Sequence, residues 1–364
     1  MPISDPQPIY ECLAQRLHDT PNGFPRTQSG VELQLLARMF TPEQAALAAV
    51  MHMHREPVED IASRAGVDPE AARDTLKAMA RRGLVHAGRG PGGLIFGLLP
   101  FIVGSYEESL PYMDAEFARL FEQMMQEVGG AGTLDRAPAF QRVIPVEQSI
   151  DAEIEVLPYE RASQLLDGAL SFGVRECICR KQKALIDEPC EHERMNCLNL
   201  APVENAFVSL PYVRTISKEE ALRILRQAEE EGLVHCTYNQ QQDLYYICNC
   251  CTCCCGVMRG LIEFGHHHAL ARSDFFCTVD AEACTGCETC IERCQFGALS
   301  VPEDVCVVDV ERCMGCGLCV SACPSDALRL RRRPAEEHAV PPADREQWQA
   351  ARAASLGTPL DQLL

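Results

Sequence analysis

The chain has 364 residues, 22 of them cysteine, and a formal net charge of −19. Its length allows two or three domains with cores of their own, so a small secreted scaffold held together by disulfides is not required. The negative charge argues against a general nucleic-acid binder and suits a carrier that docks on basic partners. The first residues lack the basic start and apolar run of a signal peptide, so we expect a cytoplasmic protein whose cysteines bind metal.

Residues 1–104 are predicted to form an N-terminal domain. A threonine before Pro42 and an aspartate before Pro69 are typical of helix starts, and a shorter helix is predicted between these two. Residues 83–100, GLVHAGRGPGGLIFGLLP, predict two short strands around a glycine-rich tip. This order of three helices and a hairpin over residues 32–100 resembles the winged-helix family.

The winged-helix resemblance implies DNA binding through the third helix, which starts at Pro69. The last turns of that helix are basic, but Asp68, Glu70 and Asp74 lie toward its start, where the bases would be contacted. Acidic side chains there are repelled by phosphate, so we favour a protein-docking or dimerising role, with a homodimer as one form of it. DNA binding stays an alternative.

Residues 105–174 are predicted to form a helical connector. The stretch YEESLPYMDAEFARLFEQMMQEV, residues 106–128, predicts a methionine-rich amphipathic helix that packs in a core or a subunit contact. The apolar run before it, residues 92–104, is too short and too interrupted to span a bilayer. We therefore expect a buried strand there and no transmembrane segment.

Residues 175–276 are predicted to form a cysteine-rich domain. Six of the eight residues from Cys248 to Cys255 are cysteine, and a basic segment upstream holds four more. Basic neighbours lower thiol pKa values and offset the charge of a thiolate-bound cluster. The candidate ligands are Cys177, Cys179, Cys190, Cys197, Cys248, Cys250, Cys251, Cys253, Cys254 and Cys255.

The spacing of the cysteine run favours one reading frame. Cys248, Cys251 and Cys254 repeat every three residues, the spacing that wraps three thiolates around a cubane, so we predict that Cys250 and Cys253 face elsewhere. The ten middle cysteines predict one or two [4Fe-4S] clusters, since two cubanes use eight thiolates. The alternatives are a four-cysteine zinc site within 177–197, or one cluster with spare thiols.

The tetrapeptide GLVH occurs twice, at residues 83–86 and 232–235. The second copy also follows a predicted helix and precedes a predicted hairpin. We therefore expect a second winged-helix-like insert between the two cysteine segments, packing their ligand loops against each other.

Residues 277–332 contain two copies of the motif C-x2-C-x2-C-x3-C, which align on each other without a gap. Two-residue gaps let a tight loop wrap three thiolates around a cubane, a tandem spacing that paired zinc sites do not need. The repeat resembles the bacterial ferredoxins that carry two [4Fe-4S] clusters. The candidate ligands are Cys284, Cys287, Cys290, Cys294, Cys313, Cys316, Cys319 and Cys323.

The ferredoxin resemblance implies that the fourth cysteine of each motif crosses to the other cluster. One cluster is then held by Cys284, Cys287, Cys290 and Cys323, and the other by Cys313, Cys316, Cys319 and Cys294. The family usually has proline after the fourth cysteine; Pro324 fits, whereas Gln295 departs and is expected to change the hydrogen bonding or exposure of one cluster. Cys277 and Cys306 lie outside the motifs and are interpreted as small buried side chains.

The cysteine segments and the ferredoxin motifs together, over residues 175–330, resemble a group of multi-cluster iron–sulfur proteins from anaerobic bacteria. The resemblance implies electron transfer and gives no substrate. Residues 333–364 predict a polar, proline-rich tail or arm with a helix near its end. The predicted fold class is α+β and multidomain.

Three functions are compatible with the sequence. The leading one is an electron-transfer protein or subunit that passes single electrons through its clusters to or from a partner oxidoreductase or larger complex. The others are a redox-sensing DNA-binding regulator, and a reductase whose middle-domain cluster binds substrate. No nucleotide-binding fingerprint or catalytic triad is visible, so no catalytic residue is predicted.

Overall fold

The computed structural model describes residues 7–150, 156–357 and 359–360. Its contacts divide the chain into two compact units. Unit 1 comprises Met1–Ala137, Gln182–Glu188 and Gln349–Leu364, and unit 2 comprises Pro138–Lys181 and Pro189–Trp348. Helices and strands occur in both units, which confirms the α+β class. None of the described helices has the length and apolar character needed to cross a bilayer.

Unit 1 is a helical assembly with one small antiparallel sheet of order β1–β3–β2. Its elements are α1 (Gln7–Asp19), α2 (Val31–Met39), α3 (Pro42–Ala48), β1 (Glu56–Pro57), α4 (Val58–Ala65), α5 (Pro69–Arg81), β2 (Val85–Gly90), β3 (Gly93–Leu98), α6 (Tyr106–Glu108) and α7 (Ala115–Val128). The two predicted helix starts are confirmed. Thr41 forms a capping box with Gln44 at α3, and the Asp68 carboxylate accepts the Ala71 N–H at 3.0 Å at α5.

Aromatic side chains form much of the core around α7. This helix is the predicted methionine-rich amphipathic one, and its apolar face is buried. The Phe121 ring stacks on Tyr106 with centroids 4.2 Å apart, and Phe101 meets Phe24 edge-on at 4.9 Å. The apolar run of residues 92–104 is a strand only as far as β3, after which Phe101 remains buried in irregular backbone.

Unit 2 contains a seven-stranded sheet of order β10–β4–β8–β9–β6–β5–β7, followed along the chain by two small two-stranded sheets, β11–β14 and β12–β13. Its elements are β4 (Gln141–Ile144), α8 (Ala162–Asp167), β5 (Ser171–Arg175), α9 (Ile178–Ala184, of which the residues to Lys181 belong to this unit), β6 (Cys197–Ala201), β7 (Arg214–Ile216), α10 (Lys218–Glu230), β8 (Val234–Tyr238), β9 (Tyr246–Cys250), α11 (Gly256–Ile262), β10 (Leu270–Ala271), β11 (Phe275–Val279), α12 (Thr289–Arg293), β12 (Leu299–Ser300), β13 (Val307–Val308), α13 (Leu318–Ser321) and β14 (Leu328–Arg332).

The large sheet is built around the helix and hairpin that were predicted on either side of the second GLVH copy, residues 232–235. These are α10, β8 and β9, and the two strands lie in the middle of the sheet rather than projecting from it. Helices α8 and α10 cover one face, where Leu166, Ile224 and Leu225 pack against Leu198 and Ile247 of the strands. Strands β4 and β5 fall within the segment predicted as a helical connector, because their short apolar runs are buried in this sheet.

The two ferredoxin-type motifs fold as similar halves, each with one tight cysteine loop before a short helix. Gly286 and Gly315 occupy equivalent places in these loops, with φ of 66° and 67°. A Cβ at Gly315 would lie 2.2 Å from the Phe275 carbonyl oxygen, and one at Gly286 would lie 2.7 Å from that of Asp304. Only glycine fits at both positions, because the loop packs directly on backbone there.

The C-terminal segment, predicted as an arm, is instead packed through α14 (Arg345–Ser355). Trp348 is buried and donates its indole N–H to the Ala139 carbonyl oxygen at 3.0 Å, against the Phe140 ring. Within unit 1, Arg352 is fully buried. Its guanidinium donates to four backbone carbonyls at 3.0–3.2 Å, those of Pro21, Asn22, Thr133 and Arg136.

We expect Arg352→Ala to destabilise unit 1 by about 3 kcal/mol, because several buried carbonyls lose a charged donor at once. Urea unfolding followed by hydrogen–deuterium exchange in α1 measures the effect. Glu346→Ala, at an exposed position of the same helix, is the control and is expected to leave the midpoint unchanged. Equal midpoints for the two variants would contradict the structural role of Arg352.

Candidate metal centres

A cavity in unit 2 joins cysteines from both ferredoxin-type motifs. It is lined by Cys294 of the first motif and by Cys313, Cys316 and Cys319 of the second. The remaining wall is largely apolar and includes Leu330. A fifth cysteine, Cys277, also lines this space but lies outside the motifs. Four thiols are the donor set of a [4Fe-4S] cluster, so the four motif residues fit that group in the crossed arrangement.

The other four motif cysteines differ widely in exposure. Cys290 is buried, Cys284 and Cys323 are partly buried, and Cys287 is exposed. The Thr289 hydroxyl, 3.5 Å from the Cys287 sulfur, lowers the pKa of the Cys287 thiol. Burial raises the pKa of Cys323, but hydrogen bonds from Ser325 outweigh it and lower the pKa overall. Both thiols are therefore prepared for the thiolate state that binds iron.

Backbone N–H groups point at the first cysteine of each motif. The Cys306 N–H donates to Cys284 Sγ at 3.3 Å, and the Cys277 N–H donates to Cys313 Sγ at 3.5 Å. Such bonds stabilise negative charge on a ligand sulfur and tune the metal it binds. The two donors are themselves cysteines that lie outside the motifs.

The thiols of these two extra cysteines also contact motif cysteines. Cys306 Sγ lies 3.6 Å from Cys290 Sγ, and Cys277 Sγ lies 3.7 Å from Cys319 Sγ. Both are buried, as predicted, but each also provides a fifth thiol at one four-cysteine set. Burial, with a contribution from Cys290, raises the pKa of Cys306 to about 12, so it remains a neutral S–H donor. The sequence repeat could have revealed these two cysteines as equivalent, because the alignment that superposes the motifs also places Cys277 on Cys306.

The first middle-domain group, the four-thiol group, consists of Cys190, Cys251, Cys253 and Cys254. Their sulfur atoms all lie within 4.8 Å of one another. The predicted reading frame is therefore wrong, because Cys253 faces the same centre as its neighbours and Cys248 does not belong to it. Hydrogen bonds from Cys251 and Cys254 lower the pKa of the Cys253 thiol to about 4, which favours a metal-binding thiolate.

The second middle-domain group, the seven-thiol group, collects the remaining candidates and one more. Its members are Cys177, Cys179, Cys197, Cys236, Cys248, Cys250 and Cys255, joined by thiol–thiol hydrogen bonds. Cys190 lies in the other group, which contradicts a four-cysteine zinc site within 177–197. Cys236 was missed because it stands alone in its sequence segment. Only the pairing of β8 with β9, which sets it opposite Cys248, reveals it.

A buried arginine lies between the two thiol groups. The Arg180 guanidinium donates to Asn196 Oδ1 at 2.9 Å, to the Asn249 carbonyl oxygen at 2.7 Å and toward Cys251 Sγ at 3.6 Å. Burial alone would lower its pKa, but the thiolate charges of Cys177, Cys251 and Cys250 outweigh burial and raise the pKa of Arg180. The arginine is thus a fixed positive charge against two collections of sulfur.

Gln295, the departure from the ferredoxin pattern, connects the module to the cysteine run. Its side-chain oxygen accepts from the Thr252 N–H at 3.1 Å and from the Thr252 hydroxyl at 2.8 Å. Its amide donates to the Gly232 carbonyl oxygen at 3.0 Å. Thr252 stands between Cys251 and Cys253, and Gln295 follows Cys294. Glutamine in place of the usual proline therefore adds hydrogen bonds between the repeat and the cysteine run, and its effect on a cluster stays a prediction.

A group of potential metal donors of another kind occurs in unit 1. Donor atoms of His52, His54 and Glu56 lie within 4.8 Å of one another. The Glu56 carboxylate also pairs with Arg64, whose hydrogen bond helps to lower the Glu56 pKa against the opposing effect of burial. Because that charge is already offset by an arginine, this group is a weaker cation site than the thiol groups.

Comparison with known proteins identifies the C-terminal segment only. The family described as 4Fe-4S binding domain matches residues 277–300 and 306–329. The match confirms the ferredoxin-type resemblance of the repeat and indicates [4Fe-4S] clusters there. No curated protein and no solved structure matches the chain.

We expect Cys294→Ala and Cys313→Ala to abolish the same cluster signal, although the two residues belong to different motifs, because both line one cavity. Electron paramagnetic resonance of the reduced protein is the measurement. Cys284→Ala is the matched control and should remove the other signal. If Cys294→Ala behaves like Cys284→Ala, the ligands are not crossed.

Removing the Cys306 thiol should lower the reduction potential of the adjacent cluster, because the ligand sulfur loses an S–H donor and holds its negative charge less well. We expect Cys306→Ala to shift one midpoint by up to about 60 mV, tenfold in the one-electron equilibrium constant. Cys277→Ala should shift the other midpoint less, because the Cys277 S–H donates to the Thr278 carbonyl oxygen at 3.6 Å. A potentiometric titration read by electron paramagnetic resonance measures both midpoints.

Two variants control this titration. Cys306→Ser keeps a hydrogen-bond donor and should restore most of the shift, and Cys12→Ala alters an exposed cysteine of unit 1. A midpoint that stays the same in Cys306→Ala would show that the Cys306 thiol only fills space.

Proposed function

We propose that this protein is an iron–sulfur electron-transfer protein or subunit that passes single electrons through several clusters to or from a partner oxidoreductase. The observation that carries the proposal is the contact that Gln295 makes with Thr252. It joins the ferredoxin-type repeat directly to the cysteine run. When bound, a [4Fe-4S] cluster takes up or releases one electron at a time.

The residues on either side of this contact support a continuous route. Cys294 lines the ferredoxin cavity and precedes Gln295, while Cys251 and Cys253 of the four-thiol group flank Thr252. Arg293 strengthens the junction by donating to the carbonyl oxygens of α10 residues at 2.6 and 2.7 Å. Electrons move efficiently only over short distances, and the contact keeps the two cysteine sets close.

The middle-domain thiols extend this route beyond the two clusters of the ferredoxin module. We assign one [4Fe-4S] cluster to the four-thiol group and a further cluster site to the seven-thiol group. Arg180 offsets the negative charge of thiolate ligands in both groups, which lowers the cost of burying them. Zinc in place of iron in the four-thiol group is the outcome that would contradict the assignment.

The partner is inferred from charge and chemistry. A net charge of −19 suits docking on a basic face of an oxidoreductase or of a larger complex. Reduced thiols in this number fit a cytoplasmic protein, and the resemblance to multi-cluster proteins of anaerobes supports the same setting.

The N-terminal part is proposed to be a winged-helix-like docking domain. Support comes from the chain order of α3, β1, α4, α5, β2 and β3 and from the sheet order β1–β3–β2. Basic residues of α5 are already engaged, since Arg73 pairs with Glu59 at 2.7 Å and Lys77 lies 3.5 Å from Asp74. This favours binding of a protein partner or of a second copy of the chain over binding of DNA. A shift of duplex DNA in a gel assay with this protein would contradict the docking role.

Replacing Gln295 tests the electron-transfer route. We expect Gln295→Pro, which restores the usual ferredoxin residue, to keep the iron content but slow electron exchange between the repeat and the middle domain severalfold. Anaerobic stopped-flow reduction followed by freeze-quenched electron paramagnetic resonance resolves the two sets of clusters. Gln227→Ala, which loses only a hydrogen bond within α10 and its end, is the control. Unchanged exchange rates in Gln295→Pro would remove the proposed junction.

A further inference from the structure

We propose that the seven-thiol group is a single site for an iron–sulfur cluster larger than one cubane, with Cys236 as one of its ligands. The proposal rests on the proposed function, since it requires that the middle domain binds iron–sulfur clusters. It goes further by giving the size of one cluster and a ligand that no motif marks.

The thiols form one continuous set rather than two. Cys177 hydrogen-bonds to Cys179 and Cys179 to Cys255, which connects the start of α9 to the start of α11. On the other side, Cys255 and Cys248 both contact Cys250. The set is completed by a contact of Cys197 with Cys248 and one of Cys236 with Cys250.

The number of thiols exceeds what one cubane uses. A [4Fe-4S] cluster binds four thiolates, so three of the seven would remain without iron. All seven are free cysteines, and none is fully exposed. They come from three strands and from the starts of two helices, α9 and α11, where apolar side chains would pack as well if only volume mattered.

Charge around the group points to an anionic occupant. Arg180 is 1% exposed, and among the described residues it has no carboxylate partner. Arg175 hydrogen-bonds to Cys197 on the opposite side. Burying a guanidinium without an anion is costly, and an iron–sulfur cluster with several thiolate ligands supplies that negative charge.

Cys236 marks the side of the group that faces the ferredoxin-type repeat. It is fully buried in β8, opposite Cys248, and its charge interacts with that of Cys316. Cys316 lines the ferredoxin cavity. The Cys236 thiol is therefore close enough to Cys316 for the charge of one to influence the other.

Cluster assembly here uses sulfide with a mixture of ferrous and ferric iron, because the iron of a resting cubane is on average midway between these two oxidation states, and each cysteine loses its thiol proton as its bond to iron forms. The test is anaerobic reconstitution of the full chain with these reagents, followed by iron and acid-labile sulfide analysis. We expect more than about 16 irons per chain, because three cubanes account for about 12 and the seven-thiol group holds more than four.

Single substitutions locate the extra iron. Cys236→Ser is expected to lose more than about four irons while both ferredoxin signals remain in electron paramagnetic resonance. Cys197→Ser, at the other end of the thiol set, should remove the same spectroscopic component. This variant replaces Cys236→Ser in the test if the Cys236 variant does not fold. Cys12→Ser, at an exposed site, is the control and should keep the full iron content.

Each other outcome overturns part of the proposal in a recognisable way. About 16 irons or fewer in the wild type, or full iron retention in Cys236→Ser, would show that the group holds no more than a cubane or that Cys236 is not a ligand. Loss of different components in Cys197→Ser and Cys236→Ser would show two separate sites. About eight irons in total would instead refute the middle-domain clusters of the proposed function.

Discussion

The pairing of β9 with β8 on one side and β6 on the other is the constraint on which the middle of this protein depends. Cys248 and Cys250 are two residues apart in β9, so they share a face of the sheet. The neighbouring strands bring Cys236 and Cys197 to the same place. Backbone hydrogen bonds therefore gather thiols that are far apart in sequence.

The same pairing explains why the sequence predicted the ferredoxin repeat better than the cysteine run. In the repeat, ligands lie a few residues apart in tight loops, so local spacing determines which thiols converge. The helix starts at Pro42 and Pro69 could likewise be predicted from the residues next to them. In the run, β9 ends at Cys250, and the chain then changes from the two-residue period of a strand to a turn. A frame of three residues does not apply across that change, and no local pattern could have identified Cys236.

Polar side chains hold this arrangement in place from within. His235 lies next to Cys236 along β8, and its ring bonds Asn249 at 2.6 Å, while Glu229 lies 3.2 Å from its other nitrogen. Asn249 in turn donates to the Asn196 carbonyl oxygen at 2.6 Å. Such a network restricts the geometry of the groups that it joins. It therefore holds β9, which carries Cys248 and Cys250, against the loop before β6, where Asn196 accepts from Arg180.

The single glutamine in the ferredoxin-type repeat, Gln295, makes its two similar halves different from each other. With equal halves, an incoming electron donor would find two interchangeable faces. Here the half that ends in Gln295 is bound to Thr252, whereas Cys287 of the other set is exposed. Under the proposed function, this side chain distinguishes the two ends of the repeat, one facing solvent at Cys287 and the other in contact with the cysteine run.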